Sequence, residues 1–219
     1  MTKEKWMEHK VGATMDDYVG RECFLSLDLS STMDLTALTI LFPPQKPDDP
    51  YMVFSRFWLP SEGIAEKEVR DVAPYTAWAR TGELSLCDGP VIRYGHVLEC
   101  IGEIRQKFVI RAMTYDAWGM KYLRAEAREQ GFELPQNMIE FRQGFKSMHP
   151  AITRFEELFA QGRIKHDGNG VLTSCVASTV HLKNPAGWRK PDKDKSTSRI
   201  DGYVSMIMNI SIAVDEYGK

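Results

Sequence analysis

Three apolar segments occupy residues 22–60, and the turns between them are too short to hold a crossover helix. They are ECFLSLDLS (22–30), LTALTILFPP (35–44) and YMVFSRFWLP (51–60). The second is rich in β-branched residues and stops at Pro43-Pro44, and the polar turn KPDDP leads into the third. Strands joined this tightly pair antiparallel, so the chain is expected to open on a β-meander. Partial alternation in the first segment puts Phe24, Ser26, Asp28 and Ser30 on one face and Cys23, Leu25, Leu27 and Leu29 on the other. Asp28 thus sits between leucines in a strand bound for a core. Burying a lone carboxylate is costly unless a counter-charge, hydrogen bonds or a metal compensates it.

The pattern changes after residue 60. Residues 62–84 hold helical stretches broken by Pro74 and Gly82, and Val97, Ile101 and Ile104 stand at helical spacing. FVIRAMTYDAW predicts a fourth strand ending at Asp116. The helix MKYLRAEAREQ follows, with Gly131 as its stop. MIEFRQG predicts a fifth strand. PAITRFEELFAQG predicts an amphipathic helix with Pro150 in its first turn and Gly162 at its end. Residues 171–180 suit a helix or a strand, and 183–198 read as a polar loop. Residues 200–214 predict a final apolar helix that opens on Asp201. The order of elements is that of a mixed α/β sheet flanked by helices.

Net charge is −2, so bulk charge does not mark a nucleic-acid binder. Positive charge is local. Residues 183–199 carry six basic side chains (Lys183, Arg189, Lys190, Lys193, Lys195, Arg199) against Asp192 and Asp194. Taken alone, such a run is a solvated loop. No apolar run approaches the roughly 20 residues that cross a bilayer, and the N-terminus lacks a signal-peptide pattern, so no membrane partner is expected. The cysteines, at 23, 87, 100 and 175, lack zinc-site spacing and are expected to be free thiols.

Three aspartates fall where carboxylates are unusual: Asp28 inside a strand, Asp116 at a strand end and Asp201 at a helix start. Asp116 and Asp201 also have ordinary readings, as a helix cap and as an N-terminal helix charge. If the strand ending at Asp116 lies beside that of Asp28, and the last helix packs its start against both, the three acids converge. An all-oxygen set suits Mg²⁺ or Mn²⁺, and two such ions roughly 3.5–4 Å apart promote phosphodiester hydrolysis. Asp34 follows a turn after Asp28 and can join as an accessory ligand, although a plain turn residue is the simpler reading.

LDLSSTMDLTALTILFP, MTYDAW, FRQGF, RIKHDGNGVL and KPDKDKSTSRIDG, in that order over about residues 20–214, resemble the nuclease half of tailed-phage terminase large subunits, the DNA-packaging motors that cut concatemeric viral genomes. The resemblance implies a ribonuclease H-like fold, a mixed central sheet of five or more strands flanked by helices. It implies an endonuclease acting on viral double-stranded DNA by two-metal-ion hydrolysis, with Asp28 shared between two Mg²⁺ or Mn²⁺ ions, Asp116 and Asp201 each completing one, and Asp34 accessory. Lys190, Lys193, Lys195 and Arg199 would then grip DNA at the rim, with Arg142 and Lys146 as further contacts, while Trp118 belongs to the core. Residues 21–219 would form the nuclease domain and 1–20 a polar lead-in or interdomain linker. The chain has no GxxxxGK[ST] loop, so the ATPase half is expected elsewhere. Expected partners are that ATPase domain, a small terminase subunit and a portal, in the host cytoplasm. Two other readings stand: a ribonuclease H-like nuclease for hybrids or junctions, and a non-catalytic DNA- or protein-binding assembly module.

Overall fold

The structure is a computed structural model that describes residues 1–29 and 34–217. Ser30, the last residue of the expected first strand, lies outside the described residues. A short helix, α1 (Lys3–Met7), and one 3-10 turn (Met15–Tyr18) precede the meander of β1 (Glu22–Asp28), β2 (Thr36–Phe42) and β3 (Tyr51–Pro60). Next come α2 (Ile64–Asp71), α3 (Tyr75–Arg80), β4 (Ser85–Cys87), α4 (Tyr94–Lys107), β5 (Val109–Tyr115), α5 (Ala117–Glu129) and β6 (Met138–Glu140). The chain continues through α6 (Phe145–Ala160), β7 (Ile164–His166), α7 (Gly170–Ser178), the hairpin β8 (His181–Lys183) and β9 (Arg189–Pro191), and α8 (Asp201–Tyr217).

The main sheet has seven strands, in the order β4-β3-β2-β1-β5-β6, with β7 also pairing β3. The meander pairs antiparallel, as its short turns require, while β5 runs parallel to β1 and β6 parallel to β5. This is the ribonuclease H-like architecture, with two short strands more than the five read from the sequence. Those two, β4 and β7, have three residues each, too few to show a period.

Other boundaries shift for local reasons. The expected fifth strand shrinks to Met138–Glu140. The helix expected from Pro150 starts at Phe145, so Pro150 lies within α6. The missing N–H there costs one backbone bond, and burial of Met148, Ile152, Phe155 and Leu158 on one face carries the helix through. Residues 170–178 are helical, with the Asn169 side chain accepting from the Leu172 amide as an N-cap. The polar stretch 183–198 is not all loop, since β8 and β9 pair within it.

Two apolar layers cover the sheet. One joins Phe24, Leu41, Val53 and Phe57 to α6, α7 and α8. The other joins Leu25, Leu27, Leu38 and Ile40 to α4 and α5. The β1 alternation therefore decides the site: its Phe24, Ser26 and Asp28 face points toward α8. Asp201, Ser205 and Asn209 recur every four residues on α8, an advance of about 6 Å, and two residues of strand advance about 6.6 Å. The two rhythms match. Ser205 Oγ donates to the Ser26 carbonyl (2.7 Å) and Asn209 Nδ2 to the Phe24 carbonyl (3.1 Å). The same stripe carries Asp201 to the end of β1 that holds Asp28. Close approach demands Gly202, because a Cβ there would stand 2.8 Å from Phe57 Cζ and 3.2 Å from Cys175 Sγ.

Residues 1–20 are more than a polar strip. Trp6 is 0% exposed. Its ring stacks on His166 (centroids 3.9 Å apart), and its carbonyl contacts His166 Nε2 at 2.9 Å. The Val11 amide donates to the His166 carbonyl (2.9 Å). Burial holds the His166 pKa down to about 4, so the ring is neutral beneath the indole. Trp6→Ala is expected to cost about 3–5 kcal/mol, seen as a lower urea midpoint at unchanged slope. A change within about 0.5 kcal/mol, the size of a surface substitution, would mean that this segment does not fold with the sheet.

Candidate active site

Asp28 ends β1 and is 2% exposed. Leu27 pairs with Tyr115 across the parallel β1–β5 ladder, so Asp116 leaves the sheet beside Asp28. Asp201 opens α8 and is 5% exposed. All three line one cleft of about 360 Å³, together with Asp34, Lys193 and Arg199. The order of elements thus brings the three expected acids to one cleft.

Asp116 stands at the N-cap position of α5, yet its side chain makes no capping hydrogen bond. Trp118 and Gly119 have non-helical backbone, with Gly119 at φ 82°, so the regular helix starts only after them. A side chain at Gly119 would also press on Leu29, with its Cβ 3.1 Å from that of Leu29. This kink turns Trp118 outward. It is 61% exposed and lines the cleft, contrary to the expectation that it belongs to the core. Its expected helical partners begin only beyond the kink.

Asp28 is held from two sides. Gln143 Nε2 donates to Oδ1 (2.9 Å), and Lys193 Nζ lies 3.5 Å from Oδ2 and 3.1 Å from Asp201 Oδ1. Burial pushes the Asp28 pKa up to about 6. Lys193 and Gln143 pull it down, and the charges of Asp201 and Asp116 push it up. Asp116 is also raised by its burial, with the Ala117 amide and Lys193 acting against the rise. Partial burial of Lys193 favours its neutral form, but the two carboxylates outweigh this and raise its pKa.

An outer ring of charge adjoins the pocket. Asp34 pairs with Arg199, and with Arg70 at 3.6 Å. Arg199 also reaches Asp71 (3.2 Å), which takes two hydrogen bonds from Arg70 (2.8 and 2.7 Å) and one from the Tyr75 hydroxyl (3.0 Å). Burial works to raise the Asp71 pKa, but Arg70, Arg199 and Tyr75 prevail and lower it. Asp34 moves the other way, raised by burial against the opposing pull of Arg199. Asp34 thus lines the same cleft as the three acids while paired with the guanidinium groups of Arg199 and Arg70. Sequence pattern alone does not mark Asp71 or Gln143 as site residues: Asp71 lies in an ordinary polar helix, and the FRQG segment is the single local hint of Gln143.

The basic residues expected to grip DNA part company. Lys193 sits between two carboxylates, and Arg199 is bound to Asp34 and Asp71, so neither is a free rim cation. Lys190 lies over the Phe145 ring (5.3 Å) on β9, and Lys195 is exposed on the following turn. Arg142 is 87% exposed, 3.7 Å from Glu140, and Lys146 is exposed near the start of α6.

The chemistry of the donor set suits a hard divalent ion. It offers only carboxylate oxygens. Asp28 Oδ2 is buried and accepts no hydrogen bond among the described residues. As placed, no three His, Cys, Asp or Glu side chains among the described residues stand close enough to enclose one ion. The charge of the buried pair is instead met by the ammonium of Lys193. The acids fit a cation, and the position between two of them is taken by one from the chain itself.

Comparison with known proteins gives the family and the fold. The sequence matches the family described as terminase large subunit, endonuclease domain, over residues 1–216. It is 40% identical over 196 residues to the terminase large subunit of Enterobacteria phage HK97, covering 90% of this chain and 38% of that protein. The crystal structure of the HK97 large terminase matches with a TM-score of 0.85 at 36% identity, over 97% of this chain and 43% of that one. The large terminase nuclease of thermophilic phage G20c with bound magnesium matches at 0.53 and 9% identity, over 88% of this chain and 84% of that one. That last likeness is one of fold. The chain spans less than half the length of the HK97 protein it resembles.

In ¹³C-carboxyl titrations of metal-free protein, Asp28 is expected to titrate near pH 6 and Asp71 below its ordinary value. Because the folded Asp28 pKa is raised, its neutral form favours the folded state. That contribution is complete below the unfolded value of about 3.8 and is lost as pH rises through about 6. Titration of Asp28 below pH 4 would contradict its burial.

Proposed function

The chain belongs to the family of terminase large subunit endonuclease domains, and from that premise we propose that it is a divalent-metal-dependent endodeoxyribonuclease that cuts concatemeric viral double-stranded DNA during genome packaging. The observation that carries this reading is a buried carboxylate, Asp28, with one oxygen that accepts no hydrogen bond among the described residues, beside a second buried acid in an open cleft. Burying such a group is costly unless a counter-charge, hydrogen bonds or a metal compensates it, and Gln143 serves only its other oxygen. The G20c nuclease has been crystallised with magnesium and with cobalt, which supports a divalent ion here.

Asp28, Asp116 and Asp201 would hold the two ions that the resemblance implies. Bound divalent ions supply an activated water and offset charge on the leaving oxygen. The chain supplies the rest. Gln143 fixes the rotation of the Asp28 carboxylate through Oδ1 and leaves Oδ2 for the ion. Arg199, held by Asp34 and Asp71, fixes the backbone two residues before Asp201. Lys190, Lys195, Arg142 and Lys146 would meet phosphates along the duplex. Trp118 offers a flat apolar face to a sugar or base edge. In the whole motor this domain would act with an ATPase domain, a small terminase subunit and a portal, in the host cytoplasm.

Mn²⁺ is expected to support nicking of supercoiled plasmid, and EDTA to abolish it. Asp28→Asn, Asp116→Asn and Asp201→Asn should each slow cleavage about a thousandfold, equivalent to about 4 kcal/mol, in proteins that still fold. A folded Asp28→Asn variant with full activity would reject the assignment. Strong preference for an RNA–DNA hybrid or a four-way junction over duplex DNA would overturn the substrate. Lys190→Ala and Lys195→Ala should each lower the salt dependence of duplex binding by about one unit of log–log slope. An unchanged slope would remove them from the DNA path.

A further inference from the structure

Lys193 is placed to serve the acids before it serves DNA. Its ammonium lies 3.1 Å from Asp201 Oδ1 and 3.5 Å from Asp28 Oδ2, between two carboxylates that are themselves almost fully buried. A divalent ion shared by these two oxygens needs the same space and the same charges. We propose that Lys193 is an internal cation for this pair: it holds Asp28 and Asp201 together in the metal-free protein and is displaced when a divalent ion binds. The inference rests on the metal-dependent reading of the site and adds a competitor built into the chain.

Three further features support it. First, the turn that carries Lys193 is a constructed one. The Asp192 amide donates to the Val180 carbonyl (2.9 Å), Asp192 Oδ1 accepts from the amides of Asp194 (3.2 Å) and Lys195 (3.3 Å), and Ser196 Oγ donates to the Asp192 carbonyl (2.6 Å). Lys193 is thereby aimed while its neighbours Lys190 and Lys195 are not. Second, the Lys193 side chain is 52% exposed although its two partners are buried. Its stem can swing without disturbing packed neighbours, whereas the carboxylates cannot follow. Third, Lys193 lines two cavities at once. One is the acid cleft. The other, of about 240 Å³, also contains Asp192 and Asp194. A displaced ammonium therefore has a polar place to go, on the same rim that would meet a phosphate.

Linkage fixes the sign of the effect. A cation that occupies the site in the metal-free state lowers the apparent affinity for any ion that must replace it. Lys193→Met keeps the length of the side chain and removes its charge. Titration calorimetry with Mn²⁺ should show binding to Lys193→Met tighter than to wild type by about tenfold or more, within the usual range of linked binding. Lys193→Arg, which retains a charge, should return the affinity toward the wild-type value. The metal-free melting temperature of Lys193→Met should fall, and the rise on adding Mn²⁺ should exceed that of wild type. Equal or weaker Mn²⁺ binding by Lys193→Met, with wild type binding normally, would overturn the inference and leave the metal-dependent reading intact. Failure of both proteins to bind Mn²⁺ would overturn both. The wild-type chain supplies a test that needs no variant. The ¹⁵Nζ resonance of Lys193 should move on Mg²⁺ addition toward that of a solvent-exposed ammonium, and an unmoved resonance at saturating Mg²⁺ would equally refute displacement.

Discussion

Two buried carboxylates brought together at the end of one strand and the start of one helix set the terms for the rest of this structure. Asp28 and Asp201 are almost fully buried and their charges repel, so a cation beside them relieves the cost when both are ionised. The fold secures their approach by means unrelated to charge. The stripe Asp201, Ser205, Asn209 on α8 keeps step with the Phe24, Ser26, Asp28 face of β1, and hydrogen bonds from Ser205 and Asn209 lock the two together below the acids. Gly202 lets the helix start lie against Phe57. The electrostatic cost of the pair is thus met by packing energy from the core beneath it and by Lys193 above.

Around that pair the charges form layers. Gln143 and Lys193 touch the acids directly. Arg199 touches none of the three, but its ion pairs with Asp34 and Asp71 anchor the chain just ahead of Asp201. This division explains why a protein with net charge −2 can carry a nucleic-acid function in the proposed reading. In the basic stretch at 183–199, Lys193 and Arg199 are spent inside the site, Arg189 pairs with Glu156, and Lys183 and Lys195 face solvent.

Much of the fold was legible because its signals are local. The meander follows from three apolar runs and short turns. The side of β1 that bears Asp28 follows from alternation, and the Gly131 stop and the α8 helix follow from composition. What escaped lacked a period or depended on distant partners. Trp6 is one aromatic in a polar stretch, and its burial needs His166, far along the chain. The β8–β9 hairpin has strands of three residues. Pro150 misplaced a helix start because the preference for proline in first turns outweighed the apolar face already begun at Met148. In the site, the three aspartates were readable as misfits in apolar contexts. Lys193, by contrast, is indistinguishable in sequence from Lys190 and Lys195, since only the Asp192 turn aims it. Gln143 contributes one hydrogen bond across 115 positions, which no spacing rule encodes. Trp118 looked like core because its exposure is decided by a kink at Gly119.

In the proposed reading Asp28, Asp116 and Asp201 make one site for divalent cations. Anomalous scattering from crystals soaked in Mn²⁺ is the decisive measurement. A peak beside Asp28 and Asp201, with Asp116 drawn in and the Lys193 ammonium moved aside, is expected. Crystals saturated with Mn²⁺ that show no anomalous peak in this cleft, with Lys193 still lodged between the two carboxylates, would contradict it.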